Sequence, residues 1–119
     1  MPLPLKKLTA TETKHALAQH ALSEWTHDGD AITRTLKTRD WRATMMVANA
    51  IAYVCETAWH HPQLTLTYSQ IVIRLDTHDV AGVSMRDIEL AVQIEAWLSW
   101  TGAGEALEGL PENQALFTH

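Results

Sequence analysis

Residues 41–62, "WRATMMVANAIAYVCETAWHHP", constrain the fold of this chain more than any other stretch. Trp41, Met45, Ala48, Ala52, Cys55 and Trp59 recur at steps of three and four, which predicts a helix with an apolar stripe. A second row, Val47, Ile51 and Val54, widens it. A helix apolar over so much of its circumference is either sandwiched in a core or part of a subunit contact. Asp40 is its expected N-cap. Pro62 disfavours helical geometry at His61, so the helix should end near His60.

Beyond Pro62 the period changes from helical to alternating. Leu64, Leu66 and Tyr68 alternate with Thr65 and Thr67, and Ile71, Ile73 and Leu75 with Gln70, Arg74 and Asp76. Two half-buried strands in close succession predict an antiparallel hairpin. Gly82 breaks the pattern, and Ser84 and Asp87 form an S-x-x-D capping box for a helix carrying Ile88, Ala91, Ile94 and Leu98 on one face. Upstream, Thr9 and Glu12 form another box, opening a helix to about Ala21. Gly29 then marks a turn between short segments around Trp25 and over Ile32–Lys37. The order α-β-β-α-β-β-α implies an α+β fold: a four-stranded antiparallel sheet with helices packed on one face.

The 119 residues suit one domain, expected over 1–100. From Thr101 onward, three glycines and a proline without periodicity suggest a flexible tail, 101–119. Lone Cys55 excludes an internal disulfide, sits in an apolar run, and fits a reducing cytoplasm. "MPLPLKKL" lacks the apolar core of a signal peptide, and no run is long enough to span a membrane. A net charge of −5 with nine scattered Lys and Arg argues against nucleic acid as a partner.

The candidate chemistry lies in histidines. Glu56 and His60 are four apart and can share a helical face, while Pro62 redirects the chain at His61. A hairpin of this length can return His78 near both. Three imidazoles could hold zinc, but adjacent histidines at a helix end rarely reach one ion, so no metal is expected. Acid–base work suits histidines beside a carboxylate. The plain alternative is that the pair satisfies carbonyls at the helix end, Asp87 serves only the capping box, and Tyr68 lines a core or groove. Spacing alone leaves these readings level.

The run E-x3-H-H-P-x5-Y-x9-H-x8-D, from Glu56 through His60, His61, Pro62, Tyr68 and His78 to Asp87, resembles the signature of the pterin-4a-carbinolamine dehydratase family. Glu24–Trp25, Asp30–Ile32, Thr77–Ala91 and Ile94–Glu95 extend the resemblance over roughly residues 9–98. It implies an α+β fold, dimers or tetramers, and no metal or cofactor. It also implies dehydration of a 4a-hydroxytetrahydropterin to the quinonoid dihydropterin. His60, His61 and His78 would be catalytic, Glu56 and Asp87 supporting, and Trp59, Thr77 and Tyr68 would bind the pterin. Trp59 and Gln63 depart from the family's usual polar and acidic residues at those positions. The resemblance therefore also admits a dehydratase-like binding module. Such relatives act as transcription-factor dimerisation cofactors or as RuBisCO assembly factors in carboxysome-forming bacteria.

Overall fold

The computed structural model describes residues 4–119; the first three positions of the expected domain and of the N-terminal segment read for a leader lie outside them. Helix α1 (Ala10–Gln19) starts at the anticipated box, where Thr9 Oγ1 accepts from the Glu12 amide at 3.0 Å and Glu12 Oε1 accepts from the Thr9 amide at 2.9 Å. Strands β1 (Thr26–Asp28) and β2 (Ala31–Thr38) form a hairpin around Gly29, whose φ of 63° is a turn geometry glycine adopts without strain. Helix α2 (Trp41–Ala58) is capped by Asp40, which accepts from the Ala43 amide at 2.9 Å. That backbone bond holds the Asp40 carboxyl below its ordinary range.

Strands β3 (Gln63–Thr67) and β4 (Gln70–Leu75) make the second hairpin, and helix α3 (Met85–Ser99) follows the Ser84–Asp87 capping box. The sheet is antiparallel in the order β1-β2-β4-β3. Register aligns Ile32 with Leu75 and Leu36 with Ile71, so their side chains share the face against the helices. Ile51, Val54 and Cys55 of α2 and Ile88, Ala91 and Ile94 of α3 complete the core. Burial pushes the Cys55 thiol up to about 11, so it packs as a small hydrophobe, as its apolar neighbours along the chain suggested. Among the described residues, no helix is long and apolar enough to cross a membrane.

Two features differ from expectation, and a third was not anticipated. The stripe through Trp41, Met45, Ala52 and Trp59 is exposed; the row Val47, Ile51 and Val54, with Ala48 and Cys55, is the buried one. Both rows have helical spacing, and only one arc of the helix meets the sheet. The segment 101–119 is not a loose tail: Phe117 and Thr118 form β5, antiparallel to Thr38 and Lys37 of β2, and the Arg39 amide donates to the Leu116 carbonyl at 2.9 Å. A strand of two residues has no period to read.

The third is Arg34, on the inner face of β2 between Ile32 and Leu36 and 1% exposed. Its Nε donates to Glu95 Oε1 at 2.7 Å, and Trp25 Nε1 donates to the same oxygen at 2.8 Å. A buried guanidinium needs such a partner, because an unpaired charge in the core is costly.

Candidate active site at the end of helix α2

The histidine pair is placed by the way α2 stops. The amides of Trp59 and His60 turn back to carbonyls of the last helical turn: Trp59 to Glu56 at 3.1 Å and His60 to Cys55 at 3.2 Å. Trp59 takes a left-handed conformation, φ 54° and ψ 44°, and Pro62 then leads into β3. The helix therefore ends at Ala58, two residues before the predicted stop.

His60 points inward. Its Nε2 lies 2.6 Å from Asp87 Oδ1. Asp87 is fully buried, and its other oxygen accepts from the Ser84 amide at 2.9 Å and from the Thr77 hydroxyl at 2.8 Å. One carboxylate thus closes the capping box and holds an imidazole. A carboxylate can only accept, so Nε2 carries a proton, and in the neutral ring Nδ1 is the acceptor. The Ser84 and Thr77 oxygens, 2.6 Å apart, complete the buried cluster.

His61 points the other way. Its Nε2 is 2.8 Å from Glu56 Oε1, and both side chains are exposed. The partner of Glu56 differs from the expectation from spacing: Glu56 serves His61 rather than His60, and His60 is held by Asp87. Helical spacing placed Glu56 under His60, but the left-handed turn at Trp59 rotates His60 off that face. Register aligns Gln63 with Arg74, so β4 returns to the end of the sheet from which β3 leaves. Thr77 is fastened there to Asp87, and exposed His78 begins the 3-10 turn beyond it.

Tyr68 is not part of this constellation. It sits in the β3–β4 turn, about 20 Å along the strand from Pro62 at the usual rise per residue. Its carbonyl accepts from Thr44 Oγ1 at 3.0 Å, near the opposite end of α2. The alternation that gave Tyr68 a groove-facing position said nothing about which end of the hairpin it occupied.

Trp59 stands at the rim, 74% exposed, its ring edge-on to His61 with centroids 5.0 Å apart. A cavity of about 670 Å³ opens beside it, lined by Trp59, His60, His20, Arg86, Glu89 and Leu90 among others. That volume falls in the usual range for small-molecule sites. Among the described residues, no group of three or more His, Cys, Asp or Glu side chains is arranged to hold a metal ion.

Residues 6–97 match the family model described as Pterin 4 alpha carbinolamine dehydratase. The chain belongs to this dehydratase family. A relative from Aquifex aeolicus (strain VF5), named "Putative pterin-4-alpha-carbinolamine dehydratase", is 36% identical over 91 residues, covering 76% of this chain and 90% of its own. One of the same name from Paracidovorax citrulli (strain AAC00-1) is 36% identical over 98 residues, covering 79% and 83%. The crystal structure of a transcriptional coactivator/pterin dehydratase from Brucella melitensis superposes with a TM-score of 0.69 at 31% identity, covering 76% of this chain and 97% of that one. A pterin dehydratase-like protein described as a RuBisCO assembly factor in the alpha-carboxysome superposes with a TM-score of 0.54 at 19% identity, covering 64% and 90%; this likeness concerns the fold. Glu56, Trp59, His60, His61, Thr77, His78 and Asp87 all lie inside the family-matched region, whereas the segment after residue 97, with β5, lies outside it.

Within this dehydratase fold, Trp59 carries a local cost. A bulky residue at positive φ is disfavoured, and glycine suits that place after a helix. Trp59→Gly is therefore expected to raise stability by up to about 1 kcal/mol, read as an increased midpoint in urea. The same change removes one wall of the cavity. A lower midpoint would show that the indole's contact with His61 outweighs the backbone strain.

Proposed function

We propose that this protein dehydrates 4a-hydroxytetrahydropterins to quinonoid dihydropterins by histidine acid–base catalysis. The observation that carries this reading is the buried His60–Asp87 pair, which leaves Nδ1 of His60 as a fixed acceptor beside a cavity. In the reaction the C4a–O bond breaks and the hydroxyl leaves as water once it takes a proton. The neighbouring ring nitrogen gives up its proton, and its electron pair forms the new C=N bond. His60, oriented by Asp87, is the base. The acid is His61, whose protonated ring Glu56 can balance in charge, or His78 at the same end of the sheet. Trp59 contributes to the pterin site through its exposed ring face, and Thr77 acts behind it by holding Asp87. No step requires a metal or cofactor.

Turnover of freshly generated substrate tests the division of labour. Replacing the acid by alanine is expected to lower turnover roughly 100- to 10,000-fold with the fold intact. His61→Ala and His78→Ala, compared side by side, identify it; unchanged turnover in both would remove the proton-transfer assignment.

A second reading has its own observation. Trp41, Met46, Tyr53, Trp97 and Trp100 are large apolar side chains that are about half exposed or more. Such a surface suits a homo-oligomer or a protein partner. It agrees with the coactivator description of the Brucella relative and leaves a binding or assembly role beside, or instead of, turnover.

A further inference from the structure

Outside the family-matched region, residues 101–119 run as a strap across the open side of the helix pair α2–α3. A cavity of about 780 Å³ lies beneath it, walled by Met46, Ile51 and Val54 of α2, Trp97 and Leu98 of α3 and Phe117 of the strap. The far end of the strap is fastened to β2 and its flank. Phe117 and Thr118 pair with Thr38 and Lys37, the Arg39 amide donates to the Leu116 carbonyl, and Arg39 Nη1 donates to Gln114 Oε1 at 3.2 Å. The last tie is Arg34 Nη2, 2.7 Å from Nδ1 of His119.

We propose that this strap is a cover released by protonation of His119. Arginine only donates hydrogen bonds and stays charged, so His119 Nδ1 must present its lone pair and the ring must be neutral, with its proton on Nε2. A protonated ring has no acceptor to offer and sets a second positive charge against the guanidinium. The Arg34 head cannot turn away, because its Nε is held by Glu95 and its Nη1 donates to the Thr35 carbonyl at 3.3 Å. Glu95 Oε1 already accepts from Arg34 Nε and Trp25 Nε1.

The charged groups around His119 are few. From β2 it meets Arg34, and behind that Glu95 of α3; Glu112 of the strap lines the same cavity. The residues of α2 that line the cavity carry no titratable group. The Phe117 ring packs edge-on to the imidazole, with centroids 5.2 Å apart, and offers no acceptor atom. His119 is exposed, so solvent protons reach it. Protonation breaks this one tie and sets two positive charges together, so it weighs against docking. The docked-to-free ratio therefore falls as pH falls, by up to about tenfold per pH unit once the ring titrates. Release uncovers an apolar cleft and one edge of β2. This inference does not depend on the proposed dehydratase reaction.

The test tracks amide resonances of the full chain labelled with nitrogen-15, from pH 8 to pH 5. The reporters are the Arg39 amide and those of Phe117 and Thr118. In the native sequence they should move from docked to free positions with acid. His119→Gln, whose side-chain oxygen can accept from Arg34 but does not titrate, should hold them docked throughout. His119→Ala should lower the docked-to-free ratio at pH 8 by about tenfold or more, the loss expected for a hydrogen bond to a charged group. The proposal is overturned if the native reporters stay docked at pH 5, if His119→Gln releases in step with the native chain, or if His119→Ala docks as firmly as the native chain at pH 8. His119 is exposed and next to the last strand, so these substitutions remove no side chain from the core.

Discussion

Replacing His60 by alanine is expected to lower turnover of a 4a-hydroxytetrahydropterin roughly 100- to 10,000-fold, the contribution usual for a positioned proton-transfer group. Stability should change less than activity. Asp87 loses the donor at Oδ1 but keeps the Ser84 amide and the Thr77 hydroxyl on Oδ2. One unsatisfied acceptor oxygen in the core costs about 1–3 kcal/mol. Circular dichroism at the assay temperature would establish that the variant is folded. Asp87→Asn separates orientation from proton transfer. With its amide oxygen facing Ser84 and Thr77, its NH2 faces His60 and forces Nε2 to accept. The ring's proton then moves to Nδ1, the atom assigned as base. Turnover should fall by a factor comparable to that of His60→Ala although the imidazole remains. An Asp87→Asn protein with native turnover would refute that assignment.

The second large effect is on stability. Glu95→Ala leaves the Arg34 guanidinium, 1% exposed, without its carboxylate and strips Trp25 Nε1 of its acceptor. Breaking a buried pair in this way costs about 3–5 kcal/mol. For a chain of this length, that is on the order of a 10–20 °C drop in melting temperature. Arg34→Met combined with Glu95→Leu should recover most of the loss, because replacing both partners by apolar groups leaves no charge stranded. Calorimetry of the three proteins decides it. A single variant that melts within a few degrees of the native protein would show that water reaches Arg34.

Much of the fold could be read from residues whose local signals agree. The capping boxes at Thr9 and Ser84 and the alternation in β3 and β4 each named an element the structure contains. The site was legible less evenly. The gathering of His60 and His61 at one helix end came from Pro62, but their partners did not. Asp87 already had a full explanation in the capping box. Nothing in the sequence says that a carboxylate has a second oxygen to spare, because the distance from residue 60 to residue 87 is closed only by packing α3 against α2. Glu56 went to the wrong histidine because i,i+4 geometry holds only while the helix continues, and Trp59 ends it in a left-handed turn. Arg34 did carry a signal. It shares the parity of Ile32 and Leu36, which places it inward, and Glu95 lies in the segment that resembled the family. The tie between β5 and β2 had none.

The central claim is that the His60–Asp87 site acts on a pterin. It is tested most directly by adding purified, folded protein to freshly generated 4a-hydroxytetrahydropterin and monitoring the loss of its absorbance. Catalysis predicts a rate above the uncatalysed one, proportional to protein concentration and lowered roughly 100- to 10,000-fold in His60→Ala. A native protein that leaves the uncatalysed rate unchanged would contradict the claim and turn attention to the exposed apolar surface.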